Sequence, residues 1–255
     1  MVDTLELSLR GFLVRGLPSI CEGDQLATMI EERADLQDGD VLCIASTVVA
    51  KAEGRQRSLK SYEPSGLAMK LAGPLNKDPR FVQAVLEESK EVLLTHPFLL
   101  VVTNFGHTCV NAGIDRSNVP GDEQLLLLPR DPSASARQIR NVLSRDCAVI
   151  VTDTCGRPFR CGVAGAALGC AGIAPIRDWR GQEDLQGRTL EITLEAVADE
   201  LAGIANLLMG EADGGTPVAI LRGLSYPREG GDLFWPDEKD MIRRHLRPAS
   251  ARPPV

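Results

Sequence analysis

Four short stretches of this chain concentrate side chains able to bind a cation or a phosphate. In "VIVTDTCGRPFRCGV" (149–163) an apolar run breaks at Asp153-Thr154 into a loop carrying Gly156, Arg157, Pro158 and Arg160. A carboxylate and a hydroxyl at a strand end can hold a hard cation, and Arg157 and Arg160 can neutralise a carboxylate or a phosphate. An ordinary strand-to-loop transition with a capping Asp accounts for the same residues. "NAGIDRSN" (111–118) crowds Asn111, Asp115, Arg116, Ser117 and Asn118 around Gly113. Such oxygen density suits a divalent cation, or equally a turn in which Asp and Asn bond their own backbone. Ser46-Thr47 with Lys51 offers two hydroxyl donors and a point charge for phosphate, or a solvated strand end with a surface lysine. "MGEADGGTP" (209–217) pairs Glu211 with Gly214-Gly215, whose backbone amides can approach a phosphate closely. A helix stop followed by an exposed turn reads the same way.

Other reactive types are less organised. The seven cysteines are odd in number and never spaced C-x-x-C, a poor disulfide framework and a poor zinc site. Cys155 and Cys161 flank the 153–154 motif, but nothing pairs either with a histidine. The three histidines, His96, His107 and His245, are scattered and form neither a metal cluster nor a Ser-His-Asp arrangement.

The elements that must position these residues follow from periodicity. "DGDVLCIASTVVAKAEGR" (38–55) reads as a turn, a buried strand from Val41 to Ala45, and a polar exit carrying Ser46, Thr47 and Lys51. "KDPRFVQAVLEESKEVL" (77–93) predicts a helix capped by Asp78 with Pro79 at its first position, and Phe81, Val82, Val85 and Leu86 on one face. Strands are expected at 98–102, 125–128, 148–152 and 216–223. An amphipathic helix is expected over "DPSASARQIRNVLSR" (131–145) with Ala136, Ile139, Val142 and Leu143 inward. The strongest helical pattern is "LEITLEAVADELAGIANLLMG" (190–210), where Leu194, Val197, Leu201, Ile204 and Leu208 recur and Gly210 stops the run. Strands and helices mix without a strict βαβ rhythm. No G-x-G-x-x-G follows a strand and no G-x-x-x-x-G-K-[ST] occurs, so neither a Rossmann nor a P-loop fold is indicated.

The chain has 255 residues, enough for one large domain or two intertwined subdomains. A net charge of −7 disfavours a nucleic-acid surface, while leaving room for a few arginines around a small anion. The N-terminus lacks the apolar core of a signal peptide, and no apolar stretch is long enough for a membrane helix. A cytoplasmic protein is expected, without a membrane or nucleic-acid partner. The proline-rich end, 248–255, reads as a flexible tail after a single functional domain over 1–247.

Taken together and in order, "GLPSI", "GDQLATMI", "DGDVLCIASTVVAKAEGR", "FVQAVLEESKEVL", "CVNAGIDRSNV", "VTDTCGRPFRCGV", "DWRGQEDLQGRTLEIT", "VADELAGIANLLMGE" and "VAILRGL" resemble the coenzyme F420-0:L-glutamate ligases (gamma-glutamyl ligases), in their single-domain archaeal-type form. The resemblance runs nearly the whole length. It implies a mixed α/β (α+β) fold in two interleaved subdomains, built as an intertwined homodimer. It also implies GTP-dependent amide formation between L-glutamate and F420-0, through an acyl phosphate with release of GDP and phosphate, giving F420-1, F420-2 and longer products. Leu17, Pro18, Ser19, Ile20, Ser46, Thr47, Lys51 and Asn118 match the family's GTP-contacting positions, as does the loop Met209, Gly210, Glu211, Ala212, Asp213, Gly214, Gly215 and Thr216. Asp115, Asp153, Thr154 and Glu211 match ligands of two divalent cations, magnesium or manganese, and the family pattern also admits potassium. Lys51, Arg157 and Arg160 are the candidates for charge neutralisation during catalysis. Bacterial fusion members carry a further flavin-binding domain and read R-N-G-Q-T-D where this chain has Arg160-Cys161-Gly162-Val163-Ala164-Gly165, a difference of subtype. Two other functions stand beside this one: the same ligase chemistry on a different carboxylate acceptor, and a non-catalytic nucleotide- or metal-binding protein.

Overall fold

The computed structural model of the chain describes residues 8–116, 121, 123–212 and 214–247. Its elements begin with β1 (Arg10–Leu13), α1 (Leu26–Glu31), β2 (Val41–Ala45) and α2 (Ser46–Ala52). There follow β3 (Gln56–Ser58), α3 (Gly66–Leu75), α4 (Pro79–Glu87), β4 (Ser89–Leu94), β5 (Leu100–Thr103), β6 (Thr108–Val110) and β7 (Gln124–Leu126). Next come α5 (Pro132–Val142), the long strands β8 (Ala148–Arg157) and β9 (Arg160–Ala171), and the short pair β10 (Arg177–Asp178) and β11 (Leu194–Glu195). The described chain closes with α6 (Val197–Met209), β12 (Val218–Arg222) and α7 (Met241–Leu246). The tail expected at 248–255 lies outside the described residues. The mix of helices and several sheets is the mixed α/β class expected from the sequence. Two compact units share the chain: one takes the residues up to Ala52 and Asp131–Leu233, the other Glu53–Arg130 and the residues from Phe234 onward.

The first unit is a five-stranded sheet in the order β1-β12-β2-β8-β9. Only β2 and β8 run parallel; every other neighbouring pair is antiparallel. Alternate residues of each central strand serve opposite layers. Leu42, Ile44, Val149, Val151, Val218 and Ile220 pack with residues of α1, α2 and α5. Val41, Cys43, Ala148, Ile150, Ala219 and Leu221 pack with Val197, Ala198, Leu201, Ala202 and Ala205 of α6. Because both faces are covered, these strands read as unbroken apolar runs, the pattern that located them in the sequence. At the other end of the sheet from the polar motifs, buried Asp40 is held by Arg222 through two 2.7 Å hydrogen bonds and caps Gln37 N at 2.9 Å.

The second unit sets α3 and α4 against the three-stranded sheet β4-β5-β6 and the pair β3-β7. Asp78 caps α4 through Arg80 N at 2.8 Å with Pro79 in the first turn, as its sequence predicts. The helix expected over 77–93 stops at Glu87, however, and Ser89–Leu94 forms β4. Val92 and Leu93 continue the helical spacing of Val85, so the pattern alone cannot separate the two states; pairing with β5 decides for strand. The same competition shortens α6, which starts at Val197 rather than near 190. Leu194 belongs to β11, paired with β10, where Arg177 and the Trp179 indole donate to Glu195.

Candidate functional site

The unit-one motifs converge on one edge of its sheet. Strands β2 and β8 are parallel neighbours with Ala45 opposite Thr152, so the next residues, Ser46-Thr47 and Asp153, leave the core side by side. Ser46 to Ala52 is not a polar exit but the helix α2, in which Ser46 is buried while Thr47 and Lys51 are half-buried. Strand β12 runs the other way and starts at this edge: Val218 pairs with Ile44, and Ala45 N donates to Pro217 O. The 209–216 loop therefore arrives here too. Strand β1, antiparallel to β12, ends here as well, and Val14 N bonds Val218 O before the chain enters Leu17–Ile20. The outer ends of parallel strands are where open α/β sheets bind ligands, because the backbone diverges there into loops.

Within those segments the side chains divide. Ile20 is buried and Leu17 packs half-buried on the same core, so their side chains are structural; Pro18 and Ser19 are exposed. Helix α6 ends at Met209, half-buried against the core, with Gly210 at φ 72°, the stop read from the sequence. Glu211 follows, exposed, its carboxylate accepting from Asn206 Nδ2 at 2.9 Å. Ala212, Gly214 and Gly215 are exposed and Thr216 is half-buried, while Asp213 lies outside the described residues.

Asp153 and Thr154 sit inside a strand rather than in the loop expected from the sequence. Strand β8 continues to Arg157, paired with β9 through Asp153↔Ala166, Thr154↔Gly165 and on to Arg157↔Arg160. The residues from Asp153 onward have modest strand propensity, and the pairing imposes the extended form. Alternation puts Asp153 on the face of Val149 and Val151, toward the α2 layer, where its carboxylate also accepts Thr154 N at 2.9 Å. Thr154 takes the α6 face with its partner Gly165, over which the Ala202 backbone packs. Arg157 and Arg160 flank the exposed hairpin turn; Arg157 lies about 13 Å along the strand from Asp153 at the usual rise per residue, and donates to Cys161 O at 3.4 Å. Burial pushes the Cys155 thiol up to about 12, with Asp153 and Asp199 adding to it, so it carries no thiolate at neutral pH.

Asp115 belongs to the second unit. Asn111, Ala112 and Gly113 all take left-handed conformations, φ 54°, 55° and 64°, closed by Ile114 N bonding Asn111 O. A Cβ at Gly113 would meet the Leu128 side chain, and the left-handed φ is what favours glycine there. Asp115 is then clamped to Leu126 by reciprocal backbone bonds of 2.9 Å each. The segment is thus a turn, as one reading had it, and backbone bonds close it. Among the described residues, the buried Asn111 side-chain oxygen has no hydrogen-bond partner. Ser117 and Asn118 lie outside the described residues.

The proposed cation ligands are all oxygen donors, and the orphaned Asn111 oxygen near Asp115 in the chain is a further one; by type they fit magnesium or manganese. Among the described residues no three His, Cys, Asp or Glu side chains gather into a site by themselves. Asp115 belongs to one unit, and Asp153, Thr154 and Glu211 belong to the other. Sequence reasoning missed Asp199 and Asn206, which touch the 153–154 hairpin and Glu211 from α6. Their signal was the spacing 199, 202, 206 on one helical face, hidden because the apolar stripe drew the assignment.

The sequence profile described as F420-0:Gamma-glutamyl ligase matches residues 16–223. A Coenzyme F420:L-glutamate ligase of Haloarcula marismortui is 54% identical over 248 residues, covering 92% of this chain and 96% of the relative. One from Natronomonas pharaonis is 53% identical, covering 94% and 96%. One from Archaeoglobus fulgidus is 51% identical, covering 92% and 97%.

Proposed function

Since the chain belongs to the F420-0:gamma-glutamyl ligase family, we propose that it joins L-glutamate to F420-0 by an amide bond at the expense of GTP. Amide formation at neutral pH needs a leaving group better than hydroxide. The terminal carboxylate of F420-0 attacks the γ-phosphate of GTP, releasing GDP and forming an acyl phosphate. The glutamate amine then attacks the acyl carbon, the C–O bond to phosphate breaks, and the amine proton passes to solvent. Repetition on the new glutamyl carboxylate gives F420-2 and longer products. The observation that supports this reading is the convergence of Leu17–Ile20, Ser46-Thr47, Asp153 and the 209–216 loop on one edge of the sheet.

Phosphoryl transfer asks mainly for positioning and charge neutralisation, which the residues at that edge can supply. Thr47 donates its hydroxyl and Lys51 its ammonium to phosphate oxygens. The backbone amides of Gly214 and Gly215 approach a phosphate without a side chain in the way. By the family match, Asp115, Asp153, Glu211 and the backbone carbonyl oxygen of Thr154, whose side chain takes the opposite face, would hold the divalent cations that offset the charge on the phosphates. Arg157 and Arg160 serve the carboxylates of glutamate or of the acceptor. A homodimer, which the family resemblance implies, belongs to the same reading.

Incubation of the protein with F420-0, GTP, magnesium or manganese and L-glutamate, followed by mass spectrometry, tests the reading. A product heavier by one glutamyl unit, with GDP and phosphate formed in step with it, is expected. Glutamyl addition absent under all these conditions, or GTP hydrolysis that needs neither glutamate nor acceptor, overturns it. With both oxygens of the F420-0 carboxylate labelled, one should appear in the released phosphate while the other stays in the amide carbonyl, and phosphate free of the label refutes the acyl phosphate.

A further inference from the structure

Helix α6 crosses the β8–β9 hairpin with Asp199, Ala202 and Asn206 on one face. Asp199 Oδ1 accepts the Ala167 N–H at 2.8 Å. Two residues along β9, a Cβ at Gly165 would lie 2.8 Å from Asn206 Cβ and closer still to the Ala202 carbonyl oxygen. The helix therefore rests directly on the strand, and Asp199 is its polar anchor there.

The anchored amide sits at an irregularity. The register steps from Val151↔Gly169 to Thr152↔Ala167, so β9 carries one extra residue, Leu168, between the levels of Val151 and Thr152, just ahead of Asp153. A bulge of this kind reverses the facing of the strand beyond it. Gly169 abuts Pro132 and Ser133 of α5 and Ala171 packs in the same layer, whereas Ala167 and Gly165 face α6. The bulge thus decides which β9 residues back Asp153 and Thr154, and bulges re-aim side chains near sites in this way.

We propose that Asp199 is a positioning residue for the ligase reaction: by holding the Ala167 amide it fixes the bulge, and with it the register of the strand that backs Asp153 and Thr154. This rests on the reading that Asp153 and Thr154 work in the ligase site. What matters is an acceptor oxygen in place, not the charge. Asn supplies the same acceptor at the same reach, Ala supplies none, and Glu keeps the charge but displaces the oxygen by one methylene.

The test compares Asp199→Asn, Asp199→Ala and Asp199→Glu with the unaltered protein and with Asp153→Ala. Manganese affinity is measured by electron paramagnetic resonance titration with GDP present, kcat and KM for GTP in the ligase assay, and folding by thermal unfolding. Asp199→Asn should stay within about twofold in affinity and kcat, while Asp199→Ala and Asp199→Glu lose on the order of tenfold in both, the scale of losing a supporting hydrogen bond behind a metal ligand. If Asp199→Ala does not fold, the contrast between Asp199→Asn and Asp199→Glu decides. Normal values for Asp199→Glu, or equal loss in Asp199→Asn and Asp199→Glu, overturn the inference. Asp153→Ala separates the two failures. If it binds manganese and turns over normally, the site reading itself is wrong; if it is inactive while the altered Asp199 proteins are normal, only the role of Asp199 is.

Discussion

Replacing Gly165 by Ala adds one methyl group at the contact between β9 and α6, and the structure sets its cost. The new Cβ would stand 2.8 Å from Ala202 C and from Asn206 Cβ, where ordinary contact begins at 3.4 Å. Two of the obstructing atoms are α6 backbone, so no rotamer relieves the clash and the helix must retreat by at least about 0.6 Å. Helix α6 buries Val197, Ala198, Leu201, Ala202 and Ala205, and all of these contacts loosen together. Overpacking of a tight core costs about 1–3 kcal/mol, and the reduced freedom of the unfolded chain with Ala returns about 0.4–1 kcal/mol. A net loss of about 1–2 kcal/mol corresponds to a fall of roughly 2–8 °C in the unfolding midpoint for a protein of this size. Activity below the transition should fall on the order of tenfold or more, because α6 leads into Glu211 and backs Thr154, and sub-ångström placement matters to transfer chemistry. Calorimetry and the ligase assay measure both. Gly156→Ala is the internal control: it lies in the same hairpin, nothing stands within 4 Å of the position its methyl would take, and its backbone is not left-handed, so it should be neutral or slightly stabilising. A midpoint and turnover for Gly165→Ala equal to those of Gly156→Ala would refute the close packing of α6 on the hairpin.

Three further outcomes follow from the same structure. Asp153→Ala should abolish GTP- and glutamate-dependent phosphate release with the unfolding midpoint unchanged; retained turnover with a normal metal requirement removes Asp153 from the site. Arg222→Ala strands the buried Asp40 carboxylate and should cost about 3–5 kcal/mol in chemical denaturation, whereas replacing both partners with apolar residues should restore much of it. Burial lowers the His107 imidazole from its usual 6.5 to about 4, beside Phe105 and Phe234. The unfolded chain then binds a proton that the fold rejects, so this contribution is intact above pH 6.5 and is lost as pH falls from 6.5 toward 4. At most about 3 kcal/mol is at stake, and His107→Phe should flatten that part of the stability profile.

Much of the local structure was legible because short-range chemistry dictates it. The Asp78-Pro79 start of α4, the Gly210 stop of α6 and the apolar runs of β2, β8 and β12 were each readable without knowing what lies beside them. The errors cluster where a neighbour decides. Val92 and Leu93 fit a helix as well as a strand until β5 is present to pair with them. Ser46 to Ala52 carries no helix signature strong enough to distinguish it from a polar exit, since β-branched Thr47, Val48 and Val49 lower its helix propensity. Asp153-Thr154 looked like a loop because Asp153 and the following Gly156-Arg157-Pro158 are poor strand formers, and pairing with β9 under the cover of α6 holds the segment extended.

The sequence by itself determined the residue types of the site, the order of its motifs and, through their resemblance, the family to which the chain belongs. Those are properties of local pattern and survive without coordinates. Only the tertiary structure decided that segments far apart in the chain, Leu17–Ile20, Ser46-Thr47, Asp153 and 209–216, meet at one sheet edge. It also set Asp153 and Thr154 on opposite faces and gave α6 a polar anchor at Asp199. Strand order, register and a single bulge are long-range facts. They arise from which surfaces bury against each other, and no short window of residues encodes that choice.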